Sequence, residues 1–221
     1  MSPEIRFVYF DLGNVLVKFD HQRGLDNLAA MTGLPASRLR AAIFDSGLQR
    51  DYEAGGVDDA AFVQRLTELL GKPLEATGVL EAISDIFWPN EAILPALRSV
   101  AAARLGCGLL SNTCQAHWQW IESRRWPMVS PEWFHSTILS FRVQCLKPER
   151  DIYRIAQQQA AVPAEQILFI DDLADNVAGA QAAGWQAIHY TGGDQFLADL
   201  NIRLGLASNP DNAAASNSDS Q

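Results

Sequence analysis

Ile5-Arg6-Phe7-Val8-Tyr9-Phe10-Asp11-Leu12-Gly13-Asn14 is the stretch from which the fold of this chain can be read. Up to Phe10 the run is apolar and continuous rather than alternating, as expected of a parallel strand buried on both faces, and it stops abruptly at Asp11. Three similar runs follow: Cys107-Gly108-Leu109-Leu110, Ile167-Leu168-Phe169-Ile170 and Ala187-Ile188-His189-Tyr190. A weaker one is Thr137-Ile138-Leu139-Ser140. Helical patterns alternate with these runs over 91–104 (Asn90 as N-cap, Gly106 past the end), 117–124, 152–161 and 176–183, the last stopped by Gly184. Strands alternating with helices predict an α/β fold with a parallel sheet covered on both faces.

Residues 20–88 differ. No strand pattern is visible there, whereas Leu25-Leu28-Ala29, Leu39-Ala42-Ile43 and Phe62-Leu66-Leu69-Leu70 have helical spacing, broken at Gly33-Leu34-Pro35, Gly55-Gly56 and Gly71-Lys72-Pro73. The chain therefore divides into a discontinuous core over 1–18 and 90–206 and a helical insertion over 19–89. Residues 207–221, rich in Ser, Asn, Ala and Asp, are expected to form a disordered tail.

Composition narrows the partners. The 221 residues carry 26 Asp and Glu against 17 Lys and Arg, a net charge of −9, so no basic stripe exists to neutralise nucleic-acid phosphates or an anionic membrane. No apolar run approaches the ~20 residues of a membrane span. Glu4, Arg6 and Asp11 interrupt the first apolar run in a way no signal peptide would. Cys107, Cys114 and Cys145, odd in number and without a CxxC pair, read as reduced thiols of a cytoplasmic protein.

In an open α/β sheet, ligands bind beyond the carboxyl ends of the strands. The residues found there are Asp11, then Ser111-Asn112-Thr113, then Asp171-Asp172, with Lys147-Pro148-Glu149 ahead of the helix over 152–161. Each has a plain alternative: a turn at Asp11-Leu12-Gly13-Asn14, a helix cap at Ser111, a solvated lysine at Lys147. Adjacent acids directly after Ile170 are harder to explain that way, and the ordered set points to chemistry. Clustered carboxylates need a cation, and hard oxygen ligands suit Mg²⁺. A metal ion, a lysine and backbone N–H donors meet the needs of a phosphoryl group, which an aspartate can attack directly.

These residues resemble the four motifs of the haloacid dehalogenase-like hydrolase superfamily. Asp11-Leu12-Gly13-Asn14-Val15, Leu110-Ser111-Asn112-Thr113, Leu146-Lys147-Pro148-Glu149 and Phe169-Ile170-Asp171-Asp172 match them in order. With His117 and Ala174-Asp175-Asn176, they look like the branch that contains alpha-D-glucose-1-phosphate phosphatase. The resemblance implies a Rossmann-like core of five parallel strands with the Asp11 strand central, and a type C1 helical cap. It implies Asp11 as nucleophile; Asp11, the Gly13 carbonyl and Asp172 as Mg²⁺ ligands, with Asp171 behind or bound through water; and Ser111, Asn112 and Lys147 as the phosphate cradle. The activity implied is Mg²⁺-dependent hydrolysis of a small phosphorylated metabolite, a sugar phosphate such as a hexose 1-phosphate, by a monomer or homodimer.

One position departs from the family pattern. Many phosphatases of the superfamily carry an aspartate two residues after the nucleophile as general acid, a function worth ~10²–10⁴-fold; here that residue is Gly13. An anomeric oxygen leaves more easily than a simple alkoxide, which suits a sugar 1-phosphate. His117 and the cap acid Glu53 are candidate substitutes. Their alternatives are substrate binding or helix packing for His117, and a solvated helix residue for Glu53. The same departure keeps open a metal-independent dehalogenase-type hydrolase, or a weakly active member serving as a binding module. Trp88, Trp118, Trp120, Trp126 and Trp133 are candidates to line a sugar pocket. Hinges for cap closure are expected near 17–20 and 88–91.

Overall fold

The structure is a computed structural model describing residues 4–206. The tail expected over 207–221 lies outside the described residues. In chain order the elements are β1 (Phe7–Phe10), β2 (Val17–Phe19), α1 (His21–Thr32), α2 (Ala36–Arg40), α3 (Leu48–Glu53), α4 (Asp59–Leu70), α5 (Ala76–Ser84) and β3 (Phe87–Pro89). There follow α6 (Leu94–Ala102), β4 (Gly106–Ser111), α7 (Gln115–Arg124), β5 (Ser136–Leu139), α8 (Ser140–Val143) and α9 (Arg150–Ala160). Last come β6 (Ile167–Asp171), α10 (Ala174–Ala182), β7 (Gln186–His189) and α11 (Gly193–Arg203). No helix among the described residues is long and apolar enough to cross a membrane.

All five expected strands form one parallel sheet in the order β5-β4-β1-β6-β7, with β1 central. Every residue of β1 is buried, because its side chains feed two apolar layers in alternation. Val8 and Phe10 join the layer built with α6, α7 and α11, and Phe7 and Tyr9 join that built with α9 and α10. The second layer explains a glycine: a Cβ on Gly108 of β4 would lie 2.3 Å from Tyr9 Cε1 across the sheet. Tyr9 is fixed in turn, its Oη hydrogen-bonding Ala156 O at 2.7 Å.

The segment with helical spacing contains α1 to α5 and a π turn, Ala41–Asp45. Asp20 caps α1 by accepting the Gln22 N–H, Asp58 caps α4 by accepting that of Ala61, and left-handed Gly33 and Gly71 end these helices. Leu25, Leu28, Leu39, Phe62, Leu66 and Val79 form the insertion's own apolar cluster, which continues into the main body through Cys114 and Ala116. Ser140 Oγ donates to the Glu53 carbonyl at 2.6 Å. Gly55, at φ +73°, lies so close to α8 that a Cβ would sit 2.3 Å from Phe141 O.

Two expectations change here. The segments read as hinges are paired: β2 and β3 form a short antiparallel ribbon with Val17 opposite Pro89 and Phe19 opposite Phe87. Strands of three residues are too short to leave a readable period. The Asn90 side chain makes no capping bond with the turn that begins at Glu91. Instead it is buried, and its Nδ2 donates to Val15 O at 2.7 Å and Tyr190 Oη at 3.0 Å, tying the loop after β1 to the chain beyond β7.

Candidate active site

Asp11 follows β1, Ser111 ends β4 and Asp171 ends β6, so parallel pairing alone brings them to one edge of the sheet. The Asp11 amide extends the ladder to Ile170 O at 2.9 Å, fixing the first residue of the loop. Carboxylate oxygens of Asp11, Asp171 and Asp172 lie within 4.8 Å of one another.

Lys147 enters this group from the loop before α9. Its backbone is clamped by Asn112, whose Oδ1 accepts the Lys147 N–H at 2.8 Å and whose Nδ2 donates to the Lys147 carbonyl at 2.9 Å. Its Nζ donates to Asp11 Oδ1 and Asp171 Oδ2, both at 2.6 Å, and to Leu110 O at 3.1 Å. Three donors thus meet three acceptors in a place closed to water. Burial works against the ammonium charge, but the two aspartates outweigh it and raise the Lys147 pKa above its usual value. Asp11 moves the other way from an ordinary carboxylate. Burial, reinforced by repulsion from Asp171 and opposed by Lys147, pushes it up to about 7.

The two adjacent acids have different surroundings. Asp171 is fully buried and saturated: Oδ1 accepts the Leu173 N–H at 2.8 Å, and both oxygens accept from Asn176 Nδ2 at 3.1 Å. Asp172 is only half-buried; its Oδ2 accepts from Asn14 Nδ2 at 3.0 Å, and His189 Nε2 lies 2.8 Å from its carbonyl. Asn14, left-handed at φ 56°, is a site residue that its sequence context marks only as a turn former. Lys18 Nζ holds the Asn14 carbonyl at 2.9 Å.

Three carboxylates against one ammonium leave two negative charges uncompensated at the sheet edge. A donor set of hard oxygens short of two positive charges fits one divalent cation such as Mg²⁺, and would return Asp11 to its ionised form.

Ser111 is buried beside this group, its Oγ 3.2 Å from Asn112 O. Glu53 lies on the insertion side. Its Oε1 accepts from Gln49 Nε2 at 2.8 Å, and its pKa is raised because burial outweighs that bond and the attraction of Lys147. His117 is corrected as a proton donor. Its ring is buried against Phe87 at 5.1 Å, its Nε2 is bonded to Ile83 O at 3.1 Å, and burial lowers its pKa to about 3. A neutral imidazole has no proton of useful acidity to give. Nor do the tryptophans gather into a sugar pocket: Trp118 belongs to the main apolar layer, Trp120 lies under the Arg124 guanidinium at 3.8 Å, and Trp133 Nε1 donates to Pro127 O.

The buried His117 carries a pH signature. Its folded pKa of about 3 lies below the unfolded value of 6.5, so between these limits the unfolded chain binds the extra proton. The stability it permits is complete above pH 6.5 and is lost progressively as pH falls toward 3. His117→Gln is expected to flatten the fall of Tm between pH 6 and 4 (read by circular dichroism); an unchanged slope would remove this role.

Comparison with known proteins finds likenesses over most of the chain. A family model described as HAD-hydrolase-like matches residues 144–216, the part holding Lys147, Asp171 and Asp172. D-ribitol-5-phosphate phosphatase of Bacteroides thetaiotaomicron is 23% identical over 208 residues, covering 90% of this chain and 98% of that protein. A crystallised HAD family enzyme of the same organism, in its magnesium complex, superposes with a TM-score of 0.76 at 25% identity, covering 88% of this chain and 97% of the other. The chain is thus similar, in this matched segment and in its fold, to members of the haloacid dehalogenase-like hydrolase superfamily. Within that superfamily, the L-2-haloacid dehalogenase of Xanthobacter autotrophicus shares the fold more distantly, with a TM-score of 0.61 at 19% identity over 92% of this chain and 84% of that one.

Proposed function

We propose that this chain is a haloacid dehalogenase-like, Mg²⁺-dependent phosphatase of a small phosphorylated metabolite, a sugar or polyol phosphate. The observation that carries the reading is the Lys147 bridge between Asp11 and Asp171, with Asp172 beside it. This bridge holds the Asp11 carboxylate at the strand end, one residue short of the level of Ser111 on the adjacent strand. Asp11 attacks phosphorus as the bond from phosphorus to the leaving oxygen breaks, giving an aspartyl-phosphate; water then attacks phosphorus, releasing inorganic phosphate and regenerating the carboxylate. The Ser111 hydroxyl and the Asn112 N–H bind the phosphate oxygens, joined by the Lys147 Nζ–H that Asp11 releases as it attacks, while Asp171 keeps Lys147 in place. Asp11, the Gly13 carbonyl and Asp172 would hold the Mg²⁺, which supplies charge neutralisation to the phosphoryl group.

The helical insertion acts as the cap that excludes water. Glu53, its carboxyl held toward the protonated form, is the proton donor to the leaving oxygen. Adjoining Glu53 through Gln49 is a small cavity of about 20 Å³, lined by His21, Phe44 and His117 and by aliphatic side chains. Burial lowers the pKa of both imidazoles, so at neutral pH this lining carries no formal charge.

Phosphate release across sugar 1-phosphates, pentitol and pentose 5-phosphates and phosphoserine, with Mg²⁺ or EDTA, tests the reading. Turnover of the sugar and polyol esters that EDTA abolishes is the expected result, with Glu53→Gln lowering it about 10²-fold or more. Halide release from a 2-haloacid that survives EDTA, or no hydrolysis of any ester, would overturn it.

A further inference from the structure

Gly13, two residues beyond Asp11, faces a ring. A Cβ built on it would lie 2.8 Å from Phe19 Cε1, closer than packed carbon atoms come, and 3.4 Å from Cδ1. Its backbone is not left-handed, so conformation does not call for glycine here; the ring does. Nor is the ring free to swing aside. Phe19 closes β2 opposite Phe87, with centroids 5.9 Å apart, and His21 packs edge-on against it at 4.9 Å. Phe87 rests on His117, and His21 on Phe44 at 5.0 Å, so the five rings form one wall from the nucleophile loop to the lining of the cavity beside Glu53.

We propose that Phe19 is a specificity-determining residue of this site: its ring fills the volume a side chain at position 13 would need, turns an apolar wall toward the departing group, and leaves proton donation to the cap side. The proposal rests on the phosphatase reading above. It makes Gly13 and Phe19 a coupled pair, so that glycine is the consequence of the ring and not an isolated loss of a polar group.

A double-mutant cycle tests it. Gly13→Asp, Phe19→Ala and the double variant are assayed in Mg²⁺ on p-nitrophenyl phosphate, whose leaving group needs no proton, and on ribitol 5-phosphate, whose leaving group does. Gly13→Asp alone is expected to lose tenfold or more on both esters. With Phe19→Ala added, turnover of the aryl ester returns to that of Phe19→Ala alone, and the ratio of alkyl to aryl turnover rises about tenfold above it as the new carboxyl reaches the leaving oxygen. Melting temperatures of Gly13→Ala, Phe19→Ala and their combination give a readout independent of activity: the glycine substitution costs stability only while the ring is present. A Gly13→Asp variant as active as the parent, a double variant no better than Gly13→Asp, or additive shifts in Tm would each overturn the proposal. If the parent protein hydrolyses neither ester, the phosphatase reading fails, and the melting cycle still reports separately on the contact.

Discussion

Asp11→Asn is expected to lower turnover by about 10⁴-fold or more while leaving the protein as stable as before, or more so. The asparagine keeps an oxygen to accept from Lys147 Nζ but cannot attack phosphorus. The stability result follows from the position of Asp11, which burial and Asp171 hold at a pKa of about 7, above its unfolded value of 3.8. Between these limits the folded chain binds a proton that the unfolded chain has released. The stability Asp11 permits is therefore fully present below pH 3.8 and is lost as pH rises through 7, by a few kcal/mol without metal. Asp11→Asn removes that loss, so the metal-free variant should melt above the metal-free parent at pH 8 and alike at pH 4. Mg²⁺ should raise the Tm of the parent more than that of the variant. A variant retaining a tenth of the parent turnover, or melting well below it at pH 8, would contradict the placement of Asp11.

Lys147→Met is expected to fail on both counts. Lys147 is 5% exposed and is the cation within hydrogen-bonding reach of both Asp11 and Asp171, so its loss leaves two buried carboxylates facing each other. Breaking a buried ion pair by removing one partner costs about 3–5 kcal/mol, which for a chain of this size lowers Tm by roughly 6–20 °C. Turnover should fall by about 10²–10³-fold with the loss of a charged donor at the transferring phosphoryl group. Lys147→Arg should not rescue either property. A planar guanidinium cannot aim three donors from one nitrogen at Asp11, Asp171 and Leu110, and nothing around Nζ leaves room for its breadth. Calorimetry of Lys147→Met combined with Asp11→Asn separates the charges: the second substitution should recover much of the lost stability. If Lys147→Met melts with the parent, the buried bridge is not what holds this site together.

Both expectations depend on residues that the sequence placed correctly at strand ends and on contacts that it did not contain. The five apolar runs were legible because a strand buried on both faces shows its burial in its own letters; all of β1, β4's Cys107–Ser111 portion and all of β6 are buried. Parallel pairing then carries Asp11, Ser111 and Asp171 to one edge, so the location of the site followed from the order of the elements. What each residue does there was not local. Asp171 and Asp172 are neighbours in the chain, yet one is saturated inside the fold and the other half-buried beside Asn14. Asn90 reads as a helix cap but spends its amide on Val15 and Tyr190. His117 reads as a proton donor but is neutralised by burial, and Gly13 reads as an absence until the Phe19 ring is seen against it. Sequence alone thus determined the layered fold, the sheet edge and the acidic and basic groups assembled on it, since apolar patterning and strand order are written in neighbouring residues. Tertiary structure decided which charges pair, which imidazole stays neutral and which space is filled, because those depend on dielectric surroundings and on partners up to 158 positions away.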